Sequence, residues 1–141
     1  MSLSLKYSEL SQSLTKKITV TDKKNNGIYF TPPDTVAKNI KLLEPFINDM
    51  TTVLEPACGS CEYILRLNDT YSNMNITGIE LNETIYDSIK DLNKDNITVI
   101  NDNYLSREIN TKYDLIIGNP PYFVMKKEAV DNSYYNYFDG R

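Results

Sequence analysis

The chain has 141 residues, of which 40% are hydrophobic and 24% are charged, and its net charge at pH 7 is −4. This length allows one domain with a buried core but not two, and the composition is typical of a globular protein rather than a disordered or fibrous one. The sequence contains no histidine, which excludes Ser-His-Asp catalysis, histidine general bases and histidine-containing zinc sites. The acidic balance argues against a stand-alone nucleic-acid-binding module, because such modules neutralise phosphates with lysine and arginine.

The distribution of apolar residues argues against membrane and secreted proteins. No apolar run approaches the roughly 20 residues that are needed to span a bilayer. Residues 1–10 also lack the apolar segment of a secretory signal. We therefore expect a cytoplasmic protein with no membrane partner.

The first 26 residues predict a helix followed by a loop. Residues 3–18 carry apolar side chains at spacings of three and four, which suit one face of a helix. These side chains are Leu3, Tyr7, Leu10 and Leu14. Residues 21–27 are polar, follow neither a helical nor a strand period and end in Asn-Gly. We therefore interpret them as a surface loop. The two lysines of this loop could contact phosphate or only water. Residues 1–26 are therefore an N-terminal helical extension of a domain formed by residues 27–141.

A second helix is predicted to begin within the segment Thr31-Pro32-Pro33-Asp34. Thr31 is placed at the N-cap, a proline follows at the first helical position, where no backbone N–H is needed, and Asp34 faces the positive end of the helix. The predicted buried face of this helix consists of Val36, Ile40 and Leu43.

From residue 52 onwards, short apolar strands alternate with helical segments, which is typical of a parallel sheet in α/β order. The predicted strands are Thr52–Leu54, Ile76–Ile79, Ile97–Ile100 and Asp114–Ile117. The predicted helices between them are Cys61–Leu67 and Thr84–Leu92, the latter with Ile85, Ile89 and Leu92 facing inward. The fold class is therefore α/β, and the pattern indicates the first half of a doubly wound parallel sheet. The aromatic segment 134–138 has no obvious place to pack within four strands.

Polar residues stand at the carboxyl ends of the predicted strands, where open α/β sheets bind their ligands. The first strand leads into residues 55–61, a loop of small residues that lets a ligand approach backbone N–H groups. Glu80 ends the second strand, and an acid there can accept hydrogen bonds from both ribose hydroxyls of NAD or S-adenosylmethionine. The loop has one glycine and no G-x-G-x-x-G pattern, which suits a ligand without pyrophosphate and favours S-adenosylmethionine.

The segment Asn119-Pro120-Pro121-Tyr122 follows the fourth strand and meets the needs of methyl transfer to an aromatic amine. The lone pair of such an amine is delocalised into its ring, so an enzyme must accept its N–H hydrogens to draw the nitrogen toward tetrahedral geometry. Asn119 offers a side-chain carbonyl and Pro120 a backbone carbonyl, and each precedes a proline that keeps the acceptor on a stiff extended turn. Tyr122 offers a flat face on which a base flipped out of a duplex can stack.

With these motifs the sequence resembles the gamma-type adenine-N6 DNA methyltransferases, from about Asn26 to its end. The matching motifs, in the order of that family, are Tyr29-Phe30-Thr31-Pro32-Pro33, Glu55-Pro56-Ala57-Cys58-Gly59-Ser60, Glu80, Asp102 and Asn119-Pro120-Pro121-Tyr122. The resemblance implies a Rossmann-like class I methyltransferase fold and S-adenosylmethionine as the cofactor. It further implies transfer of the methyl group to N6 of a flipped adenine in double-stranded DNA, with no metal.

The resemblance also implies a role for each motif. The catalytic residues are expected to be Asn119, Pro120, Pro121 and Tyr122. The residues expected to hold the cofactor's methionine part are Thr31, Glu55, Ala57 and Gly59, with Pro56 in the same loop. Glu80 is expected to hold the ribose. Either Asp102 or Asn103 is expected to contact the adenine, because Asn103-Tyr104-Leu105 mimics the usual Asp-Phe-Leu, and we favour Asp102.

The sequence departs from the family pattern at two further points. Cys61 stands where the family commonly has a glycine that lets the loop pack closely on the cofactor. Members of the family also continue well beyond the point that matches Arg141, with three further strands and a DNA recognition region. We therefore expect a domain truncated at its C-terminus, as a fragment, a split subunit that a second polypeptide completes or a degenerate gene product, and no activity from this chain alone.

Other interpretations of the same motifs stay open. Cys58 and Cys61 form a C-x-x-C pattern like that of thioredoxin-like redox sites. We favour the interpretation that both are reduced cysteines packed in the loop. A structural zinc site usually needs four Cys or His ligands, and this sequence offers two. The Asn-Pro-Pro-Tyr signature also occurs in enzymes that methylate protein glutamine or RNA base amines, whereas residues 30–33 favour DNA. A chain that only binds cofactor is a third alternative. The motifs specify neither the target sequence nor the biological role, of which restriction-modification is one candidate.

Overall fold

The computed structural model describes residues 5–47, 49–108 and 110–122, together with Asn132. This part of the chain contains five α-helices, four β-strands and two short 3₁₀ turns. In chain order these are α1 (Glu9–Lys17), α2 (Val20–Asn26), α3 (Pro33–Ile47), β1 (Thr52–Glu55), α4 (Glu62–Thr70), β2 (Asn75–Glu80), α5 (Glu83–Ile89), the turn Lys90–Leu92, β3 (Ile97–Asn101), the turn Tyr104–Ser106 and β4 (Leu115–Ile116).

The four strands form one parallel sheet in the order β3-β2-β1-β4. Val53 on β1 lies opposite Ile76 on β2 and Leu115 on β4, and Ile76 lies in turn opposite Ile97 on β3. This is the strand order of the first half of a doubly wound sheet, so the predicted fold class is confirmed. All four predicted strands are present, because runs of β-branched residues bounded by polar turns are a strong strand signal.

The helices pack onto the sheet through one apolar core. Leu14 and Ile18, from the N-terminal extension, are buried in the same cluster as Val53 and Ile64, and full burial of each such side chain contributes about 1.5–3 kcal/mol. Gly78 on β2 lets α4 approach the sheet, because a Cβ at that position would lie 2.6 Å from Ile64 Cδ1. The extension therefore shares its core with the sheet, and a domain boundary at residue 26 stays a prediction.

The helices predicted on either side of β2 are confirmed as α4 and α5. The side chains predicted to face inward from α3 and from the helix after β2 are buried or packed against the core, namely Val36, Ile40, Leu43, Ile85, Ile89 and Leu92, the last of which lies in the 3₁₀ turn after α5. Apolar spacing of three and four residues was therefore a sufficient signal for these helices.

The predicted surface loop at residues 21–27 is wrong, because this stretch forms α2. Thr19 caps the helix: its Oγ1 accepts a hydrogen bond from the Asp22 backbone N (3.1 Å) and donates to Asp22 Oδ2 (2.6 Å). Gly27 ends the helix in the left-handed conformation with φ 61°, which glycine adopts without strain. The Asn-Gly pair is therefore a helix C-terminus and not a loop turn.

Two helix starts also differ from the prediction. α1 begins at Glu9, and the Ser8 side chain caps it by accepting from the Ser11 backbone N (3.1 Å), so Tyr7 precedes the helix. In α3 the first helical residue is Pro33, and the Pro32 carbonyl accepts the first intrahelical bond, from Val36 N (3.0 Å). Thr31 is therefore not the N-cap, and its hydroxyl is available for the contact with Asn119 described below.

Both ends of the chain carry predictions that lie outside the described residues. These are Leu3, predicted to lie on the first helix, and the aromatic segment 134–138. In the part of the chain that the structure describes, no helix is both long enough and apolar enough to cross a bilayer.

Candidate active site

The carboxyl ends of β1 and β4 and the segment before α3 meet at one cleft, whose empty volume, including its open mouth, is about 250 Å³. Of the predicted site residues, the structure brings five together in the walls of this cleft: Thr31, Glu55, Ala57, Gly59 and Asn119. The other seven lie outside its walls: Pro56, Glu80, Asp102, Asn103, Pro120, Pro121 and Tyr122. The Tyr122 side chain is 80% exposed.

The loop after β1 is held against β2 by its own backbone. The Cys58 N–H donates to the Ile79 carbonyl (2.9 Å), and Gly59 adopts a left-handed φ of 50°. Cys61, at the start of α4, also has a positive φ, of 61°. A side chain in this conformation costs of order 1 kcal/mol or more relative to glycine, so the substitution of Cys61 for the family's glycine stores backbone strain in the loop.

Glu80 connects the end of β2 to this loop. Its Oε2 accepts from the Gly59 backbone N (2.9 Å) and its Oε1 accepts from the Asn82 backbone N (2.7 Å). The residue is 8% exposed, and burial raises the pKa of its carboxyl although these two N–H groups offset part of the effect. Because each carboxylate oxygen has two lone pairs, both oxygens keep capacity to accept a further hydrogen bond.

Glu55 is the most unusual polar group in the cleft. It is 3% exposed, and among the described residues its Oε2 has no hydrogen-bond partner. Burial raises the pKa of the Glu55 carboxyl well above its ordinary value, and the nearby Cys58 and Glu80 raise it further. A buried acceptor without a partner is costly, so this position favours a ligand that brings hydrogen-bond donors or positive charge.

Asn119 is oriented by Thr31. Its side-chain Nδ2 donates to Thr31 Oγ1 (3.2 Å), and its Oδ1 has no hydrogen-bond partner within the described residues. The donor half of the amide is therefore engaged by the protein, and the acceptor half is left for a ligand. The parallel pairing of β1 and β4 places Asn119 beside the loop after β1, and Thr31 reaches Asn119 from the segment before α3.

The two candidates for contact with the cofactor's adenine are both engaged locally. Asp102 Oδ2 forms an ion pair with Arg107 NH1 (2.6 Å), and its Oδ1 accepts from the Asn103 backbone N (2.7 Å). The hydrogen bond from Arg107, followed by that from Asn103, lowers the pKa of Asp102. Asn103 Oδ1 accepts from the Leu105 backbone N (3.1 Å). Asp102 lies beside Glu80, since its N–H donates to the Glu80 carbonyl (3.1 Å), but the choice between the two candidates stays a prediction.

A hydrogen-bonded cluster that the sequence analysis missed joins α1 to the cleft. Glu62 lines the cleft, and its Oε1 accepts from the Ser8 N (3.0 Å), from the Ser8 hydroxyl (2.7 Å) and from the Ser11 hydroxyl. The Ser11 and Ser60 hydroxyls also form a hydrogen bond (2.7 Å). Serine is common as a helix cap, so the presence of Ser8 before α1 does not by itself indicate a contact with Glu62.

The two cysteines are free, buried thiols. A hydrogen bond with Cys61, together with burial, raises the pKa of the Cys58 thiol. Because redox-active C-x-x-C sites depend on a lowered thiol pKa and on access, these features favour packed structural cysteines. Across the described residues, no three His, Cys, Asp or Glu side chains cluster as metal ligands would.

The sheet order and the ligand-facing strand ends define a class I methyltransferase fold. Among solved structures, coclaurine N-methyltransferase bound to N-methylheliamine and SAH resembles this fold, with a TM-score of 0.52 and 22% identity over 63% of this chain and 27% of that one. The family model of the N-6 DNA Methylases matches residues 8–139. The chain therefore belongs to the N-6 DNA Methylase family, as the resemblance of its motifs predicted.

Two of the curated relatives come from viruses of Chlorella. The type II methyltransferase M.CvrRI of Paramecium bursaria Chlorella virus XZ-6E is 32% identical over 83% of this chain and 30% of its own length. The modification methylase CviBIII of Paramecium bursaria Chlorella virus NC1A is 32% identical over 84% of this chain and 32% of its own length. The chain thus spans about a third of the length of these relatives.

Proposed function

We propose that this chain forms the cofactor-binding and catalytic part of a DNA methyltransferase that transfers a methyl group from S-adenosylmethionine to N6 of adenine. The observation that carries the proposal is the pairing of Asn119 with Thr31, which leaves the Asn119 Oδ1 open in the cleft that also contains the buried Glu55, whose Oε2 has no partner among the described residues. Because the chain spans about a third of the curated relatives, the activity is proposed for the full protein.

The residues present fit the cofactor. The Glu55 Oε2 without a partner suits the α-ammonium of a methionine group, since a charge-assisted hydrogen bond would offset its burial. Thr31, Ala57 and Gly59 line the same cleft and would hold the rest of that group, with Pro56 shaping the loop. Glu80, with acceptor capacity left at the end of β2, would hold the ribose.

The adenine ring of the cofactor would lie against the residues that follow β3, Asp102 or Asn103. S-adenosylmethionine supplies a methyl group on a positively charged sulfur that leaves as a neutral thioether. The chain's own residues would then have to hold the acceptor amine and exclude water, since no residue needs to protonate that leaving group.

The acceptor side would be formed by the segment from Asn119 to Tyr122. Asn119 Oδ1 and the Pro120 carbonyl would accept hydrogen bonds from the two N6 hydrogens, which makes the nitrogen lone pair available for attack. As the N–CH₃ bond forms and the S–CH₃ bond breaks, the nitrogen becomes cationic and then loses one of these protons to water. Pro121 stiffens the turn. Tyr122, largely exposed in the described structure, would meet the face of a flipped base.

The relatives are named as type II and modification methyltransferases, which supports a modification activity on DNA. The test is to incubate the full protein with methyl-labelled S-adenosylmethionine and, separately, duplex DNA, RNA and a protein mixture, and to identify the labelled product by mass spectrometry. We expect N6-methyladenine in DNA. Label in RNA bases or in glutamine side chains instead would contradict the proposed substrate, and no transfer to any polymer would favour a chain that only binds cofactor.

A further inference from the structure

A second, open groove lies between the N-terminal helices and the segment that precedes α3. Its empty volume, including its mouth, is about 840 Å³. Aromatic, aliphatic and polar side chains line it, among them Tyr7, Gln12, Lys16, Lys23 and Tyr29. Neither the cofactor site nor the predicted catalytic motif occupies this groove.

The groove is basic in a chain that is acidic. Residues 1–30 contain five lysines against two acids, a net charge of +3, whereas residues 31–141 contain ten basic against seventeen acidic residues, a net charge of −7. Lys16 and Lys23 are the charged side chains of the groove, and no acid of the described residues lines it. The ion pairs found in the described part of the chain are Lys90–Asp87 and Arg107–Asp102, so neither groove lysine is neutralised by one.

The positions of these lysines are fixed by the fold. Lys23 lies on α2, which is capped at both ends, and its Nζ donates to the Thr15 carbonyl on α1 (2.9 Å). That bond uses one of the three ammonium donors and leaves two for a ligand. Lys16, on α1, has no hydrogen-bond or ion-pair partner within the described residues, so its charge is open to solvent.

The groove adjoins the candidate active site. Tyr29 and Phe30 line both the groove and the cleft, and the Tyr7 hydroxyl donates to the Phe30 carbonyl (3.4 Å). Tyr29 is 67% exposed and so presents a ring at the boundary between the two. A positively charged groove with aromatic rings is the arrangement with which proteins bind the backbone and bases of nucleic acid strands.

We propose that this groove binds the phosphate backbone of the DNA next to the nucleotide in the cleft. Lys16 and Lys23 neutralise phosphates, and Tyr29 stacks on a base that neighbours the flipped one. The partner class rests on the proposed function, because a flipped nucleotide at Asn119 stays covalently joined to its neighbours, and Tyr29 lies at the boundary between the cleft that Asn119 lines and this groove. The groove places a local DNA contact on a chain whose net charge would otherwise repel DNA.

The test compares two double variants of the full protein that change the net charge equally. The first is Lys16→Gln with Lys23→Gln, and the control is Lys38→Gln with Lys41→Gln, two exposed lysines of α3 that line neither the groove nor the cleft. Binding to a fluorescent duplex oligonucleotide is measured by anisotropy over a series of salt concentrations. The slope of log Kd against log salt counts the phosphates that the protein neutralises, at about 0.9 per contact.

We expect the groove variant to lose about two units of slope and to bind at least about tenfold more weakly at low salt, while the control keeps the wild-type slope. Lys16→Arg with Lys23→Arg should restore the slope, which a mere loss of folding would not allow. Equal slopes for the groove variant and the control would overturn the proposal. If the groove variant bound DNA as the wild type does but no longer bound polyglutamate, the DNA proposal would be overturned in favour of an acidic protein partner.

The slope of log Kd against log salt measures DNA binding alone and does not depend on methyl transfer. A wild-type protein that binds DNA through the groove but methylates another polymer would contradict the proposed function alone. A protein that methylates DNA with identical slopes in both variants would contradict the groove proposal alone.

Discussion

The Asn119 side chain donates a hydrogen bond from Nδ2 to Thr31 Oγ1 at 3.2 Å, across a sequence separation of 88 residues. This contact joins the segment before α3 to the segment after β4. If the Asn119 amide rotated by half a turn, Nδ2 rather than Oδ1 would face the acceptor amine, and Nδ2 cannot accept a hydrogen bond from it. In the proposed mechanism, Thr31 would therefore position Asn119, in addition to lining the cleft.

Replacing Thr31 by valine should lower kcat by up to about fivefold, because loss of one hydrogen bond of about 1 kcal/mol lets the Asn119 amide sample the wrong orientation. Replacing it by serine should restore most of the rate, since the hydroxyl is retained. The measurement is steady-state methyl transfer with KM for S-adenosylmethionine determined in parallel. A valine variant that changes only KM would show that Thr31 serves the cofactor and does not orient Asn119.

Glu55→Gln should separate stability from cofactor binding. Because burial raises the pKa of Glu55, its contribution to stability is present below its unfolded-state pKa and is lost as the pH rises through the raised folded-state value. Without cofactor, the glutamine variant should therefore unfold at the same or a higher temperature than the wild type near neutral pH, with a weaker pH dependence. Thermal unfolding across pH 4 to 8, roughly the range in which carboxyls with a raised pKa titrate, measures this.

The same variant should bind S-adenosylmethionine more weakly, because an amide cannot pair with the α-ammonium as a carboxylate can. Calorimetric titration at neutral pH measures the affinity, and Glu44→Gln, an exposed residue of α3, is the matched control. Wild-type affinity in the Glu55 variant would contradict the assignment of Glu55 to the methionine group.

Asp114 should control the acid stability of the domain. Its Oδ2 accepts from the backbone N of Thr51 and of Thr52, both at 2.9 Å, and these bonds lower the pKa of Asp114 to about 2. A lowered carboxyl pKa stabilises the fold above the unfolded-state value and loses that effect as the pH falls through the folded-state value. Asp114→Asn should therefore flatten the loss of stability between about pH 4 and pH 2. The measurement is the free energy of chemical unfolding as a function of pH. If it fell with decreasing pH as steeply in the variant as in the wild type, this role would be contradicted.

The thiols of Cys58 and Cys61 should resist modification in the folded protein. Both are buried, and the raised pKa of Cys58 keeps it as a thiol rather than the reactive thiolate. We expect a thiol-specific disulfide reagent to label neither residue at neutral pH until the protein is unfolded. Rapid labelling of the native protein, or a Cys58–Cys61 disulfide under mild oxidation, would support the redox interpretation instead.

The parts of the fold that sequence could predict are those that local patterns determine. The strands and the helices α3, α4 and α5 follow from apolar periodicity, and the convergence of Glu55 and Asn119 follows from parallel strand ends meeting at one edge. α2 was missed although its signal was local, because Thr19 and Asp22 form a capping pair that was obscured by a polar composition.

The remaining features depend on contacts between distant parts of the chain. Thr31 was predicted to cap α3, and only the folded sheet shows that its hydroxyl meets Asn119. The cluster of Ser8 and Ser11 on Glu62 joins residues more than fifty positions apart. The unpartnered oxygen of Glu55 is likewise a property of burial in the folded chain, which no single-sequence pattern reports.

Whether Asn119 holds the acceptor amine is tested by the Asn119→Ala variant of the full protein. Its rate of methyl transfer to DNA is measured together with its affinity for S-adenosylmethionine. Asn73→Ala, in an exposed turn away from the cleft, is the control. We predict a loss in kcat of at least about a hundredfold, as for removal of a group that stabilises a transition state, with cofactor affinity little changed. A variant that methylates DNA at the wild-type rate would contradict the account.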